Sequence, residues 1–339
     1  MKCIDPYIIA EISANHKQDW DHARKLVEAA IQTGVSAIKT QAYTPDSMTI
    51  NSNRPEFLCS SSLWAGRTLY DIFTEGSMPN EWQIRIKNIC DDNNVDFICS
   101  AFDFDSLVFL KSIDCKRIKI ASSEANDINL IRHARKMFDY LYVSVGMASE
   151  KEINAIYSEH LESKKDFLTL FKCTASYPAP LEDINIATIM DMVSRYECFI
   201  GLSDHTLGIE VPILALGAGA KIFEKHITLD RNDDALDSKF SLEPEEFSQL
   251  VSTLNSLNSA IGKCIYGPTK SEETGYKYRR SIYSINDINK GQIITAKSIK
   301  CIRPANGLEP HFYDKIIGKI ASRDIEAGTP LEMQDIIWK

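Results

Sequence analysis

Two histidines close consecutive strand-like runs, His205 at the end of FIGLSDH (199–205) and His226 within KIFEKHIT (221–228). On neighbouring parallel strands these positions are equivalent, so the two imidazoles converge on one divalent cation. Glu11, in the run YIIAEIS (7–13), is placed to add an oxygen ligand. A single strand histidine more often serves by hydrogen-bonding inside the fold; the pairing, with a carboxylate on the next run, is what points to a metal. Mn²⁺, Fe²⁺, Co²⁺ and Zn²⁺ all suit such a donor set.

Two lysines pose a related question. Lys39 in AIKTQA (37–42) and Lys119 in RIKIAS (117–122) sit at apolar strand ends, where an ammonium is costly unless it meets an anion or a carboxylate. With hydroxyls from Ser122, Ser144 and Ser203 they would make a site for a small molecule carrying both phosphate and carboxylate. The alternatives are a structural pair such as Lys119 with Glu124, or the Schiff-base lysine of an aldolase. In the loop DRNDDALDSKFSL (230–242), Asp237 lies among apolar residues and is the candidate general base or sugar-hydroxyl acceptor, whereas Asp230, Asp233 and Asp234 are expected to face solvent.

The elements that must carry these groups alternate from residue 7 to about residue 262. Further strand-like runs are DFICSAF (96–102), YLYVSVG (140–146) and DFLTLFKCT (166–174), separated by amphipathic stretches such as WDHARKLVEAAIQTG (20–34) and NEWQIRIKNICDDN (80–93). Eight such units predict an α/β fold, a closed (β/α)₈ barrel over 1–263. Glu11, Lys39, Gln41, Lys119, Ser122, Glu124, Ser144, Ser203, Asp204, His205, Glu224, Lys225 and His226 then fall at C-terminal strand ends, the mouth where barrels build active sites. No G-x-G-x-x-G turn follows the first run, which disfavours a doubly wound sheet. Residues 43–79 form an oversized loop expected to cover the mouth. A polar linker over 264–279 leads to a small β-rich domain over 280–339.

Composition narrows the partners. The 339 residues are 44% hydrophobic and 25% charged with net charge −9, which argues against nucleic acid or an anionic membrane surface and requires any anionic substrate to meet a locally basic pocket. The N-terminus lacks a signal-peptide pattern, and no stretch approaches the roughly 20 apolar residues of a membrane span. Nine cysteines without a C-x-x-C pair read as reduced thiols of a cytoplasmic protein.

These blocks, together with IIAEISANH (8–16), AIKTQAYTPDSMT (37–49), RIKIASSEAND (117–127), VSVGM (143–147), KCTASYP (172–178), GLSDHTLG (201–208), FEKHITLD (223–230) and IRPANGL (302–308), resemble the sialic acid synthase family over nearly the whole chain. Its bacterial members make N-acetylneuraminic, legionaminic or pseudaminic acid. The resemblance implies a barrel with a C-terminal antifreeze-like (SAF) domain, and a divalent ion, Mn²⁺ ahead of Mg²⁺ or Co²⁺, on His205 and His226. It implies phosphoenolpyruvate on Lys39, Lys119, Ser122, Ser144 and Ser203, and an acylated amino sugar met by Gln41, Glu124, Tyr177 and Asp237, with Glu11 near the reacting centre. Glu11, Lys39, Lys119, Glu124 and Asp237 are thus the candidate catalytic residues. Family members carry an asparagine near Ala175, so one hydrogen bond to the donor differs here. Arg303 matches an arginine that reaches the partner's barrel, implying a domain-swapped homodimer. The blocks YTPDSMTINS, LWAGRTLYDIF (63–73), EANDINL (124–130) and DSKFSL (237–242) look most like members that condense phosphoenolpyruvate with 2,4-diacetamido-2,4,6-trideoxy-altrose and water. The rival readings are a neuraminate or legionaminate synthase, a Schiff-base aldolase on Lys119, or a non-catalytic sugar-binding protein.

Overall fold

A computed structural model describes residues 5–60, 64–163 and 165–338. Cys3 and Leu63, the first residue of the 63–73 block, lie outside them. The chain divides into two compact units, one ending at Gly262 and one starting at Lys263.

The first unit is a closed barrel of eight parallel strands: β1 Tyr7–Glu11, β2 Ala37–Ala42, β3 Asp96–Ala101, β4 Arg117–Ile120, β5 Tyr140–Ser144, β6 Phe167–Cys173, β7 Phe199–Asp204 and β8 Ile222–His226. Closure comes from β8 pairing with β1, which sets Glu11 opposite His226, while β1 on β2 sets Glu11 opposite Lys39. The helices between them bury one stripe each. In Trp20–Gln32, Asp19 caps the N-terminus through the His22 amide at 2.8 Å, and Ala23, Leu26, Val27 and Ala30 turn inward at helical spacing.

Strand periodicity of two divides the side chains. Ile8, Ala10, Ile38, Ile118, Leu170, Leu202 and Phe223 point outward into the main core beneath the helices. Ile9, Ala37, Ile98, Tyr142, Phe171 and Ile222 point inward and plug the barrel. Below the plug, Asp96 accepts from the Tyr7 hydroxyl at 2.6 Å and pairs with Arg117 at 2.8 Å. Above it, the next inward residue is polar on every strand but β6, which places the Cys173 thiol there.

The strand-like runs extend past the strands at their C-terminal ends, where the chain leaves the barrel: β1 stops at Glu11 and β4 at Ile120. The 43–79 segment contains the helices Pro45–Met48 and Leu69–Gly76 and a bridge between Leu58 and Thr68. No helix among the described residues is long and apolar enough to cross a membrane. The eight described cysteines are all free thiols.

The second unit holds an antiparallel pair, β9 Ser281–Ser284 with β10 Ile299–Ile302, around a core of Ile282, Ile288, Ile294, Ile299, Ile316, Ile325 and Leu331. Arg303 is exposed just after β10.

Gly201 of β7 is required by the plug. A Cβ there would come within 2.7 Å of the Ile222 carbonyl oxygen and 2.8 Å of the Phe171 ring. Gly201→Ala is expected to cost about 1–3 kcal/mol of unfolding free energy, the usual penalty of overpacking, measured by urea denaturation. An unchanged midpoint would contradict this packing.

Candidate active site

The polar layer above the plug is a lattice of four buried charges. Lys39 Nζ lies 2.5 Å from Glu11 Oε2 and 3.5 Å from Glu224 Oε1, and donates to the Ser100 hydroxyl at 3.1 Å. Lys119 Nζ donates to both oxygens of Glu224, at 2.9 and 2.8 Å, and rides over the Phe171 ring at 4.7 Å. Ser203 donates to Glu224 at 3.1 Å, and Gln41 donates to Glu11 and to the Ser13 hydroxyl, each at 2.9 Å.

Electrostatics differ across the lattice. Burial opposes ionisation of Glu224, but Lys119 and Lys39 outweigh it and hold the carboxyl down at about 2. Glu11 has only Lys39 beside it, and burial keeps it above the usual carboxylate range. Burial, with Lys39 as a like charge, pulls Lys119 below the ordinary lysine value, whereas the two carboxylates raise Lys39 against the same burial.

The imidazoles of His205 and His226 lie side by side at the same mouth, edge to face with ring centroids 5.3 Å apart. His205 Nδ1 bonds to the Thr174 carbonyl at 2.9 Å, which leaves Nε2 for a ligand. His226 Nδ1 has no hydrogen-bond partner among the described residues; Asp237 Oδ2 is 3.7 Å away. Burial and the neighbouring His205 hold His226 well below the usual histidine range, as a neutral ligand needs. Burial also opposes charge on His205, yet Cys173 and the Thr174 carbonyl hold it above the usual histidine value. The pair fits a divalent ion with open positions for water or substrate. Glu11 does not complete the set as expected, because its carboxylate is taken by Lys39 and Gln41. Among the described residues no three His, Cys, Asp or Glu side chains share metal-ligand geometry.

A cavity of about 230 Å³ opens onto these groups. Lys39, Gln41, Lys119, Ser122, Ser144, Tyr177, Ser203, His205, His226 and Asp237 line it, with Trp64, Ile72 and Phe73 from the 43–79 loop. The Ser144 hydroxyl is buried without a partner among the described residues, and the Ser122 hydroxyl accepts from the Gly146 amide at 3.2 Å. Tyr177 stacks on His205 at 4.5 Å. Asp237 accepts from the Ala14 amide at 3.3 Å, and burial raises its carboxyl.

Other expected members stand elsewhere. Glu124 follows Ser122 in a 3₁₀ turn and is not among the lining residues; burial pushes it up to about 7, and one of its oxygens has no hydrogen-bond partner among the described residues. Its pairing with Lys119 does not form, since Glu224 takes that lysine. Asp204 and Lys225 leave the mouth: they alternate outward and pair with each other at 2.5 Å behind the strands, where Lys225 also donates to the Thr206 carbonyl at 2.5 Å. Asp233, expected in solvent, is tied to Lys17. Ala175 lines a neighbouring cavity instead of this one. Arg303 belongs to the second unit, beside Arg279 and Arg280.

Sequence reasoning placed Glu224 at the mouth but gave it no role. The signal was available: Glu224 precedes His226 by two and so shares its inward face. Ser100 follows from the same parity on β3.

The lattice makes a stability prediction. Glu224 has a depressed folded value, so its contribution is present above the unfolded value near 4.5 and is lost as pH falls toward about 2. Glu224→Gln is expected to lose about 3 kcal/mol at pH 7, with the gap to wild type narrowing below pH 4.5 in denaturant titrations. A gap independent of pH would contradict the ion pairing.

The family model of the NeuB family matches residues 26–266, and that of the SAF domain matches 279–337. Pseudaminic acid synthase of Campylobacter jejuni is 39% identical over 332 residues, covering 97% of this chain and 96% of its own. The Helicobacter pylori enzyme of the same name is 35% identical over 334 residues, 98% of each. The crystal structure of N-acetylneuraminic acid synthetase from Leptospira borgpetersenii, in complex with citrate, superposes with TM-score 0.73 at 30% identity, covering 82% of this chain and 92% of that one. An eight-stranded barrel whose mouth carries this lysine, carboxylate and imidazole set, followed by a SAF domain, therefore belongs to the NeuB family.

Proposed function

We propose that this protein condenses phosphoenolpyruvate with 2,4-diacetamido-2,4,6-trideoxy-altrose and water, giving pseudaminic acid and phosphate. The observation that carries the reading is the convergence of two buried ammonium groups and a hydroxyl unpaired among the described residues, that of Ser144, on a cavity that also holds two adjacent imidazoles. Such a mouth takes a compact anion on one side and a polarised carbonyl on the other. The choice of acceptor rests on identities of 39% and 35% to the two pseudaminic acid synthases against 30% to the neuraminic acid synthetase.

In this reading Lys39 and Lys119 hold the phosphate and carboxylate of the donor, exchanging Glu11 and Glu224 for the substrate's anions, with Ser122, Ser144 and Ser203 as hydroxyl donors. His205 and His226 would hold a divalent ion, Mn²⁺ in our assignment, which would supply Lewis-acid polarisation of the acceptor aldehyde. The enol carbon C3 of phosphoenolpyruvate bonds to C1 of the open-chain sugar, whose oxygen takes up a proton. Glu11, held above the usual carboxylate range, accepts the proton from the water that adds at C2. The C2 hydroxyl then gives its proton to the departing phosphate as the bond from C2 to the phosphate oxygen breaks, leaving the C2 ketone. Gln41, Tyr177 and Asp237 position the sugar, and Glu124, titrating near neutrality, is the further acid–base candidate at the rim. Arg303, exposed on the second unit, reaches the acceptor in the barrel of a partner copy within a domain-swapped homodimer.

A Schiff-base aldolase would need a free Lys119 amine. Its low value favours that chemistry, but both oxygens of Glu224 grip the ammonium.

The test is phosphate release from phosphoenolpyruvate with Mn²⁺, offering the diacetamido-trideoxy-altrose, the legionaminic precursor and N-acetylmannosamine separately. Selective release with the altrose compound is expected, abolished by EDTA and reduced at least about 100-fold in His226→Ala with its thermal unfolding intact. Preference for either other sugar would overturn the acceptor assignment. Activity insensitive to EDTA would overturn the metal.

A further inference from the structure

The catalytic cavity is too small for its two substrates. At about 230 Å³ it falls below the roughly 300–1,000 Å³ of sites that enclose a single ligand. It does not end there: Trp64, Ile72, Phe73 and Tyr177 also form the wall of a second cavity of about 570 Å³, completed by Leu69, Pro178 and their neighbours. None of the described residues lining this annex carries a charge; Cys59, Ser176 and Tyr177 are its polar members, and its other walls are apolar. The two spaces share Tyr177, whose ring centroid lies 4.5 Å from that of His205 and 6.1 Å from that of Trp64.

We propose that this annex is the subsite for the apolar far end of the acceptor, its C6 methyl together with the C4 acetamido methyl, an inference that rests on the function proposed above. With C1 beside the imidazoles, an open-chain six-carbon sugar extends roughly 6 Å, five bonds of about 1.5 Å in zigzag, which carries its far end past Tyr177 toward Trp64. A deoxygenated end loses nothing by leaving water for the Trp64, Leu69 and Pro178 walls, whereas a C6 hydroxyl set against those walls gives up hydrogen bonds to water. Leu69 is the diagnostic residue because it lines the annex and not the catalytic cavity.

The experiment compares kcat/KM for 2,4-diacetamido-2,4,6-trideoxy-altrose and its 6-hydroxy analogue. Wild type is expected to favour the trideoxy sugar by about 10- to 100-fold, the range a hydrophobic pocket achieves for one small group. Leu69→Ser should shrink that ratio at least fivefold, mainly through KM for the trideoxy sugar, and Leu69→Met should restore it. Equal losses on both sugars, or an unchanged ratio in Leu69→Ser, would overturn the annex while leaving the synthase reading intact. A wild-type enzyme that consumes neither sugar would overturn the synthase reading and remove the annex's occupant with it.

Discussion

The mouth of this barrel depends on the burial of four charges that neutralise one another. Glu11, Lys39, Glu224 and Lys119 expose 5% or less of their side chains, and any one left alone would cost several kcal/mol. Together they are tolerated because each ammonium has a carboxylate within 2.9 Å. Such a lattice adds little net stability over an apolar core. What it provides is a pair of ammonium groups held in place without substrate, ready to exchange carboxylates of the protein for oxyanions of a ligand. In a protein of net charge −9, an anionic ligand at this mouth would have to meet these two ammonium groups in place of their carboxylates.

Strand alternation determines which residues enter the lattice. In the run IFEKH, Glu224 and His226 face inward while Lys225 turns away to Asp204 behind the barrel. The outward pair is buried, and it ties the end of β8 to the residues flanking His205 through Thr206. The inward and outward ion pairs thus brace the two histidines from opposite sides of the same strands. Beneath them, the absence of a side chain at Gly201 lets Phe171 lie flat enough to form the floor on which Lys119 rests.

Much of this was legible in the sequence, for a specific reason. The eight-fold repeat and the polar residues at the strand ends are local signals, and period two places His205, His226, Lys39 and Lys119 in one mouth. Partner choice was not legible. Lys119 could meet Glu124 five residues away or Glu224 across the barrel, and only closure of β8 onto β1 decides between them. The pairing of β1 with β2 gives Glu11 to Lys39 instead of to a metal. The apolar annex was also hidden, since it joins Trp64 and Leu69 of one loop to Tyr177 of another, and no periodicity links segments about a hundred residues apart.

The central claim is that the buried lysines exist to bind an anionic donor, and equilibrium titration of phosphoenolpyruvate without acceptor tests it most directly. Wild type should bind, and Lys119→Met, its fold verified by circular dichroism, should bind at least about 100-fold more weakly, roughly 2.7 kcal/mol. Undiminished binding by that variant would contradict the account.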